Sequence, residues 1–241
     1  MNILRRMTVP KLQRMVLKPT KSDDVQVKGL VFDMDGTLSK PQTWMFGLMR
    51  QALGIEGQKI DILAQLESLQ GDERIKAEKA IENIELKAMN EMAPQEGLSE
   101  LFEYLSENEI NKTICTRNLI KPVNHLLSKF LPTANLNEPI VTRLFDPPKP
   151  SPKPILHISS QWGIPIDNMI MVGDSRDDMF AGINAGCSVI LLRHKDNGHI
   201  ADEIPEIDCV VDSLDEIIDI LNNGFIKKEK ILKDTTSHVG Y

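Results

Sequence analysis

Short apolar runs and amphipathic segments follow one another along most of the chain. The apolar and β-branched residues of the segment 25–32 predict a buried strand that ends at acidic residues. Further along, Leu98, Leu101, Phe102 and Leu105 recur at helical spacing, which predicts a helix with one face on a core. We therefore expect the folded part of the chain to begin with this strand and to include, further along, a helix that packs on the core.

Strand and helix patterns alternate after residue 110. The predicted strands share short β-branched or apolar runs and cover 112–116, 139–144, 168–174, 187–192 and 208–213. The predicted helices between and after them cover 118–130, 152–163, 176–185 and a segment that begins at Leu214. Parallel strands joined by helical crossovers form a sheet covered on both faces. The pattern predicts a doubly wound α/β fold with a mostly parallel, Rossmann-like sheet.

The segment 40–93 differs in character, because it is rich in Gln, Glu, Lys, Leu, Ala and Met and predicts two to four helices. We interpret it as a small helical insert in a core formed by 25–39 and 94–225. A basic, flexible leader over 1–24 and a loose polar tail over 226–241 complete the expected organisation.

Composition excludes several classes of protein. With 241 residues, 41% hydrophobic and 26% charged, the chain is typical of a soluble globular protein. It has no apolar run near the roughly 18 to 20 residues of a membrane helix. Its three scattered cysteines indicate neither a disulfide framework nor a zinc site, and favour a reducing compartment.

The charge is unevenly distributed. Residues 1–22 carry six bases and no acid, so the formal net charge of −7 leaves −13 on the remaining chain. Such an acidic body disfavours binding to nucleic acid. The basic leader has two interpretations, a flexible tail of a cytoplasmic protein or a mitochondrial targeting segment.

Polar side chains stand at the predicted strand ends. The first strand runs into Asp33 and Asp35, the second ends at Thr116 and a later one at Asp174, while Lys149 lies in a Pro-rich loop. The carboxyl ends of parallel strands share one edge of the sheet, where α/β proteins bind their ligands. We therefore expect these residues to form one site.

Carboxylates gathered at one edge need a cation, and their hard oxygen atoms suit Mg²⁺. Asp178, four residues after Asp174, adds a further acid. Lysine and threonine near such a metal can hold a phosphoryl group. One carboxylate can then attack phosphorus, and a second can move protons.

Four motifs in this order resemble the haloacid dehalogenase-like hydrolases, over roughly residues 27–220. They are "DMDGTL" (33–38), "ICT" ending at Thr116, "PPKPSPKPILH" (147–157) and "MVGDSRDD" (171–178). The helical insert between the first two resembles the cap of the family's phosphatase branch, which includes phosphoglycolate phosphatases and β-phosphoglucomutases. The second aspartate of the first motif, which the dehalogenase branch lacks, implies phosphoester chemistry.

The resemblance implies roles for single residues. Asp33 would be the nucleophile and a metal ligand, and Asp35 the general acid/base, with its backbone carbonyl also on the metal. Thr116 would bind the phosphoryl group, with Arg117 a further candidate phosphate contact. Lys149 would steady the charges of nucleophile and phosphate.

Asp174 and Asp178 would complete the metal site. Lys153, in a context nearly repeating that of Lys149, is the alternative catalytic lysine. Four other polar residues carry no such role: Asp177 is expected to cap a helix, Asn118 to begin one, and His194 and His199 to lie in a solvated loop.

The resemblance predicts a Mg²⁺-dependent phosphatase that forms an aspartyl-phosphate. Only 82 positions separate Asp33 from Thr116, and so small a cap favours a small phosphorylated metabolite such as a sugar phosphate or a nucleotide. A phosphosugar mutase and a non-catalytic phosphate-accepting regulatory domain are the alternatives. The sequence does not indicate an oligomeric state.

Overall fold

A five-stranded parallel sheet forms the centre of the protein in a computed structural model that describes residues 13–230. Its strands are β3 (Gly29–Phe32), β4 (Asn111–Ile114), β5 (Met169–Gly173), β6 (Ser188–Leu192) and β7 (Cys209–Val211). They lie in the order β4-β3-β5-β6-β7, and every neighbouring pair is parallel. The predicted doubly wound α/β fold is confirmed.

The period of two along each strand divides the core into two layers. In β3, Leu30 and Phe32 point to one cluster of buried residues and Val31 to the other. The first layer is covered by α4 (Leu98–Glu107), α5 (Ile120–Phe130) and α9 (Glu216–Asn223). The second is covered by α6 (Lys153–Trp162), α7 (Arg176–Ala185) and the short α8 (Ile200–Glu203).

Between β3 and α4 the chain forms a helical insert of three helices, α1 (Trp44–Ala52), α2 (Ile62–Ser68) and α3 (Gly71–Glu91). The insert has its own small core, which includes Met45 and Met49 of α1 and Ile81 of α3. Its apolar residues therefore pack mainly on one another, apart from the two layers beside the sheet.

Both ends of the described chain correct the expectation of a flexible leader and a loose tail. The strands β1 (Gln13–Val16), β2 (Asp24–Gln26) and β8 (Phe225–Lys227) form a second sheet in the order β2-β1-β8. Met15 is 0% exposed and belongs to the main core. Removing a leader as far as Lys21 would remove β1. The earlier part of the leader, 1–12, and most of the predicted tail, 231–241, lie outside the described residues.

Two predicted strands differ from the structure. The segment 25–32 is broken into β2 and β3, because the chain changes sheet at Val27 and Lys28. The segment 139–144 is not a strand: only Val141 forms a bridge, to Cys115 at the end of β4. Arg143 next turns its N–H to the carbonyl of Asn118. Within residues 13–230, no helix has the length and apolar character to cross a membrane.

Candidate active site

Strand register brings the predicted site residues to one edge of the sheet. Phe32 of β3 is paired with Ile114 of β4 on one side and with Val172 of β5 on the other. The residues that follow these positions, Asp33, Thr116 and Asp174, therefore leave the sheet at the same carboxyl edge. Asp33 and Thr116 are buried there, while Asp174 is partly buried.

Lys149 joins two of the acids. Its Nζ donates to Oδ1 of Asp33 at 2.6 Å and to Oδ1 of Asp178 at 2.5 Å, and the residue is only 3% exposed. Burial opposes the charged ammonium, but Asp178 and Asp33 outweigh it, so the pKa of Lys149 is raised. Lys153 is exposed at the start of α6. The geometry thus favours Lys149 over Lys153 as the lysine of the site.

Three carboxylates converge on a position that suits a cation. Asp33, Asp174 and Asp178 each offer an oxygen atom, and these atoms lie within 4.8 Å of one another. Burial raises the pKa of Asp33 well above its usual range, with Lys149 lowering it and the neighbouring acids raising it further. Burial also raises the pKa of Asp174. A divalent cation would favour the ionised form of all three.

Gly36 permits this close packing of acids. Its φ of +83° is a conformation that suits glycine, and a Cβ there would lie 2.1 Å from Oδ2 of Asp174. The carboxylate therefore approaches the backbone of the first motif directly. Hard oxygen donors in a confined space fit Mg²⁺.

Asp178 is tied more firmly than the other two acids. Its Oδ1 accepts from Lys149, and its Oδ2 accepts from the backbone N–H and the hydroxyl of Ser175 in a capping box at the start of α7. Both oxygen atoms thus already have partners. Asp178 therefore holds Lys149 in place, and with Asp33 and Asp174 it is one of the three candidate metal ligands.

Asp35 faces the insert, since it lines the space between the core and helices α1 and α3. Oδ2 of Asp35 accepts a hydrogen bond from the Nδ2 of Asn118, which is buried. Burial raises the pKa of Asp35 to about 6, although the amide of Asn118 opposes this. A carboxyl group with such a pKa suits general acid/base catalysis near neutral pH.

Thr116 and Asn118 are linked locally. The backbone N–H of Asn118 donates to the hydroxyl oxygen of Thr116 at 3.1 Å. This leaves the hydroxyl proton of Thr116 to donate elsewhere. Asn118, expected to begin a solvated helix, instead supports the acid/base candidate.

His194 is a site residue that sequence reasoning missed. Its Nε2 lies 3.0 Å from Oδ2 of Asp174, and its backbone N–H donates to Asn197. Asn197 in turn donates to the carbonyl oxygen of Asp174 at 2.8 Å. His194 therefore holds the carboxylate of Asp174, a candidate metal ligand, and Asn197 holds its backbone carbonyl. His199, in contrast, is exposed.

Arg117 lies between the core and the insert and already has two acidic partners. Its guanidinium donates to Asp61 of the insert at 2.7 Å and to Asp177 of α7 at 3.3 Å. Although burial raises the pKa of Asp61, backbone N–H groups led by Ala64 and the ion pair with Arg117 lower it overall. Asp177 thus binds Arg117, whereas the cap of α7 is made by Ser175 and Asp178. Arg117 as a phosphate contact stays a prediction.

A second arginine crosses the same boundary. Arg143 donates through Nε to the carbonyl oxygen of Arg117 at 2.8 Å and through a terminal nitrogen to Glu85 of α3 at 2.6 Å. Beside these pairs, a narrow cleft separates Asp35 and Asn118 from helices α1 and α3 of the insert. We call this space the insert cleft.

Comparison with known proteins agrees with this site. Residues 30–192 match the model of the haloacid dehalogenase-like hydrolases. An uncharacterized hydrolase of Saccharomyces cerevisiae is 48% identical over 200 residues, which are 82% of this chain and 92% of the yeast protein. A phosphoglycolate phosphatase of Salmonella paratyphi A is 33% identical over 86 residues, 36% of this chain and 34% of its own.

Among solved structures, a predicted phosphoglycolate phosphatase of Haemophilus somnus superposes with a TM-score of 0.63 at 22% identity. The match covers 80% of this chain and 97% of the other. The parallel sheet and the acidic residues at its edge agree with this family. The chain belongs to the haloacid dehalogenase-like hydrolases, and the predicted resemblance to the phosphatase branch is confirmed.

Proposed function

We propose that the protein is a Mg²⁺-dependent phosphatase that hydrolyses a small phosphomonoester through an aspartyl-phosphate. The observation that carries the proposal is the pairing of Asp33 with Lys149 at the sheet edge, while Asp35 is held two residues away by Asn118. One carboxylate is thus fixed for attack, and the other has a pKa that suits proton transfer.

In the first step, a carboxylate oxygen of Asp33 attacks phosphorus, and the bond from phosphorus to the alcohol oxygen breaks. The carboxyl group of Asp35 donates its proton to the departing oxygen. In the second step Asp35, now ionised, takes a proton from water as the water oxygen attacks phosphorus, and the bond to Asp33 breaks to release phosphate.

The remaining residues hold these groups in place. The Thr116 hydroxyl would donate to a phosphoryl oxygen, and Lys149 would offset negative charge on Asp33 and the phosphoryl group. Mg²⁺ held by Asp33, Asp174, Asp178 and the backbone carbonyl of Asp35 would supply charge neutralisation at the phosphoryl oxygens. We propose that the substrates are small phosphorylated metabolites and that neither nucleic acid nor membrane is a partner. We also propose that the protein acts in the cytoplasm.

The test is release of inorganic phosphate from p-nitrophenyl phosphate with Mg²⁺ present. Asp33→Asn keeps the shape of the side chain but removes the nucleophile, so the rate should fall by more than about 10⁴-fold. Circular dichroism would check the fold, and Asp23→Asn on the surface is the matched control. Turnover by Asp33→Asn near the rate of the unmodified protein would reject Asp33 as nucleophile.

A further inference from the structure

The insert cleft lies where the alcohol part of a substrate must go. Asp35 and Asn118 form its floor on the core side. Since Asp35 would protonate the departing oxygen, the carbon atoms bonded to that oxygen extend from Asp35 into this cleft. The inference that follows rests on the proposed function and concerns the charge of that alcohol part.

The lining of the cleft is mostly apolar and adaptable. Its apolar members come from both the first motif and the helices around it: Met34, Met45, Ala88, Met89, Met92 and Pro122. Gln42 and Asn118 add uncharged polar groups, and Asp35 and Glu85 add acids. Within the described chain, neither lysine nor arginine is among the residues that line the cleft. Flexible methionine side chains accommodate ligands of varied shape.

The nearest arginines are already matched by acids. Arg143 binds Glu85 at 2.6 Å, and both side chains are largely buried, at 23% and 16% exposure. Arg117 binds Asp61 and Asp177. An anionic group in the cleft would therefore lie beside Glu85, and no lysine or arginine of residues 13–230 lines the cleft to receive it. Burying a charge without a partner is strongly unfavourable.

We propose that the substrate is a phosphomonoester whose alcohol part is uncharged, and that the cleft discriminates against carboxylate-bearing and bisphosphorylated esters. A hydroxyl of such an alcohol would find a partner in Gln42, and its carbon atoms would contact the methionines. A cationic alcohol gains little, because Glu85 already holds Arg143. This preference would disfavour phosphoglycolate, the compound after which some relatives are named, because glycolate carries a carboxylate.

A matched series of esters tests this proposal. The esters 2-hydroxyethyl phosphate, phosphoglycolate and phosphoethanolamine are close in size and differ in the charge of the alcohol part. We expect kcat/KM for 2-hydroxyethyl phosphate to exceed that for either charged ester by about tenfold or more. Equal or faster hydrolysis of either charged ester would overturn the proposal while leaving the phosphatase intact. If the protein hydrolysed none of these three esters and did not hydrolyse p-nitrophenyl phosphate, the proposed function would instead be overturned.

A substitution in the cleft tests the cause. Glu85→Gln removes the acid and releases Arg143, so the kcat/KM of phosphoglycolate should rise several-fold relative to that of 2-hydroxyethyl phosphate. Glu82→Gln, exposed on the same helix, is the control and should leave the ratio unchanged. An unchanged ratio in a folded Glu85→Gln protein would show that charge in the cleft does not select the substrate.

Discussion

The edge of the sheet and the insert use charge in opposite ways. At the edge, Lys149 and Asp178 are 3% and 1% exposed, and the ammonium of Lys149 is shared by two acids, Asp33 and Asp178. At the boundary with the insert, Arg117 and Arg143 both pair with acids. The side chains of Arg117 and Asp61 are each about one-third exposed. The edge therefore carries an excess of negative charge, whereas the boundary is close to balanced.

This difference indicates a division of labour. Excess charge in a buried place is costly unless a ligand compensates for it, so the edge fits the cation of the proposed reaction. A partly exposed pair such as that of Arg117 with Asp61 contributes little to stability. The edge would thus set the reaction, and the insert would select the substrate and admit it.

Removal of the metal should strongly lower the activity of the sheet edge. Treatment with excess EDTA, followed by assay with p-nitrophenyl phosphate, is expected to lower kcat/KM by more than about 100-fold, because the clustered carboxylates lose the cation that offsets their charge. Added Mg²⁺ should restore the rate, with circular dichroism unchanged throughout. Full activity in EDTA would contradict the metal-dependent account of this edge.

Substitution of His194 is expected to have a smaller effect, on the affinity of the sheet edge for Mg²⁺. His194→Ala removes the partner of Oδ2 of Asp174 and should weaken Mg²⁺ binding by about 10- to 100-fold, as loss of a group that orients a metal ligand commonly does. Isothermal titration of the substrate-free protein with Mg²⁺ measures this directly. His199→Ala, in the same loop, should bind as the unmodified protein does. Equal affinities in both variants would assign His194 no part in holding Asp174.

The smallest effect is expected at the boundary. Asp61→Asn keeps a good N-cap for α2 but removes the charge that pairs with Arg117. We expect the free energy of unfolding to fall by less than about 1 kcal/mol at neutral pH. Because the pKa of Asp61 is lowered in the folded protein, the difference should disappear as pH falls through the titration of this carboxyl. Urea unfolding at several pH values measures it, and a loss as large as that of a core substitution would contradict the comparison.

Much of the fold and part of the site were predictable, because both depend on local sequence. Short apolar runs gave the five strands of the central sheet, and acids directly after them gave Asp33, Asp35 and Asp174. The strand β1 was not predictable from composition, since basic residues surround it. It exists because Gln13 pairs with Lys227 near the other end of the chain, and because Met15 packs into the main core.

The missed site residues depend on long-range contacts in the same way. Nothing in the polar loop around His194 distinguishes that residue from His199 until the loop folds back on Asp174. Lys149 and Lys153 have similar neighbours in sequence, and only the packing of the Pro-rich loop against Asp33 separates them. Spacing along the chain therefore predicted which chemistry is present, but not which side chains support it.

The most direct test of the central claim is a rapid-quench experiment with the Asp35→Asn variant and p-nitrophenyl phosphate. Nitrophenolate leaves without needing a proton, but the loss of the base should slow hydrolysis of the phosphorylated Asp33. The account predicts a burst of about one nitrophenolate per enzyme molecule without equivalent phosphate release, and no burst when Asp33→Asn is added. Phosphate released in step with nitrophenolate, with no burst, would contradict it.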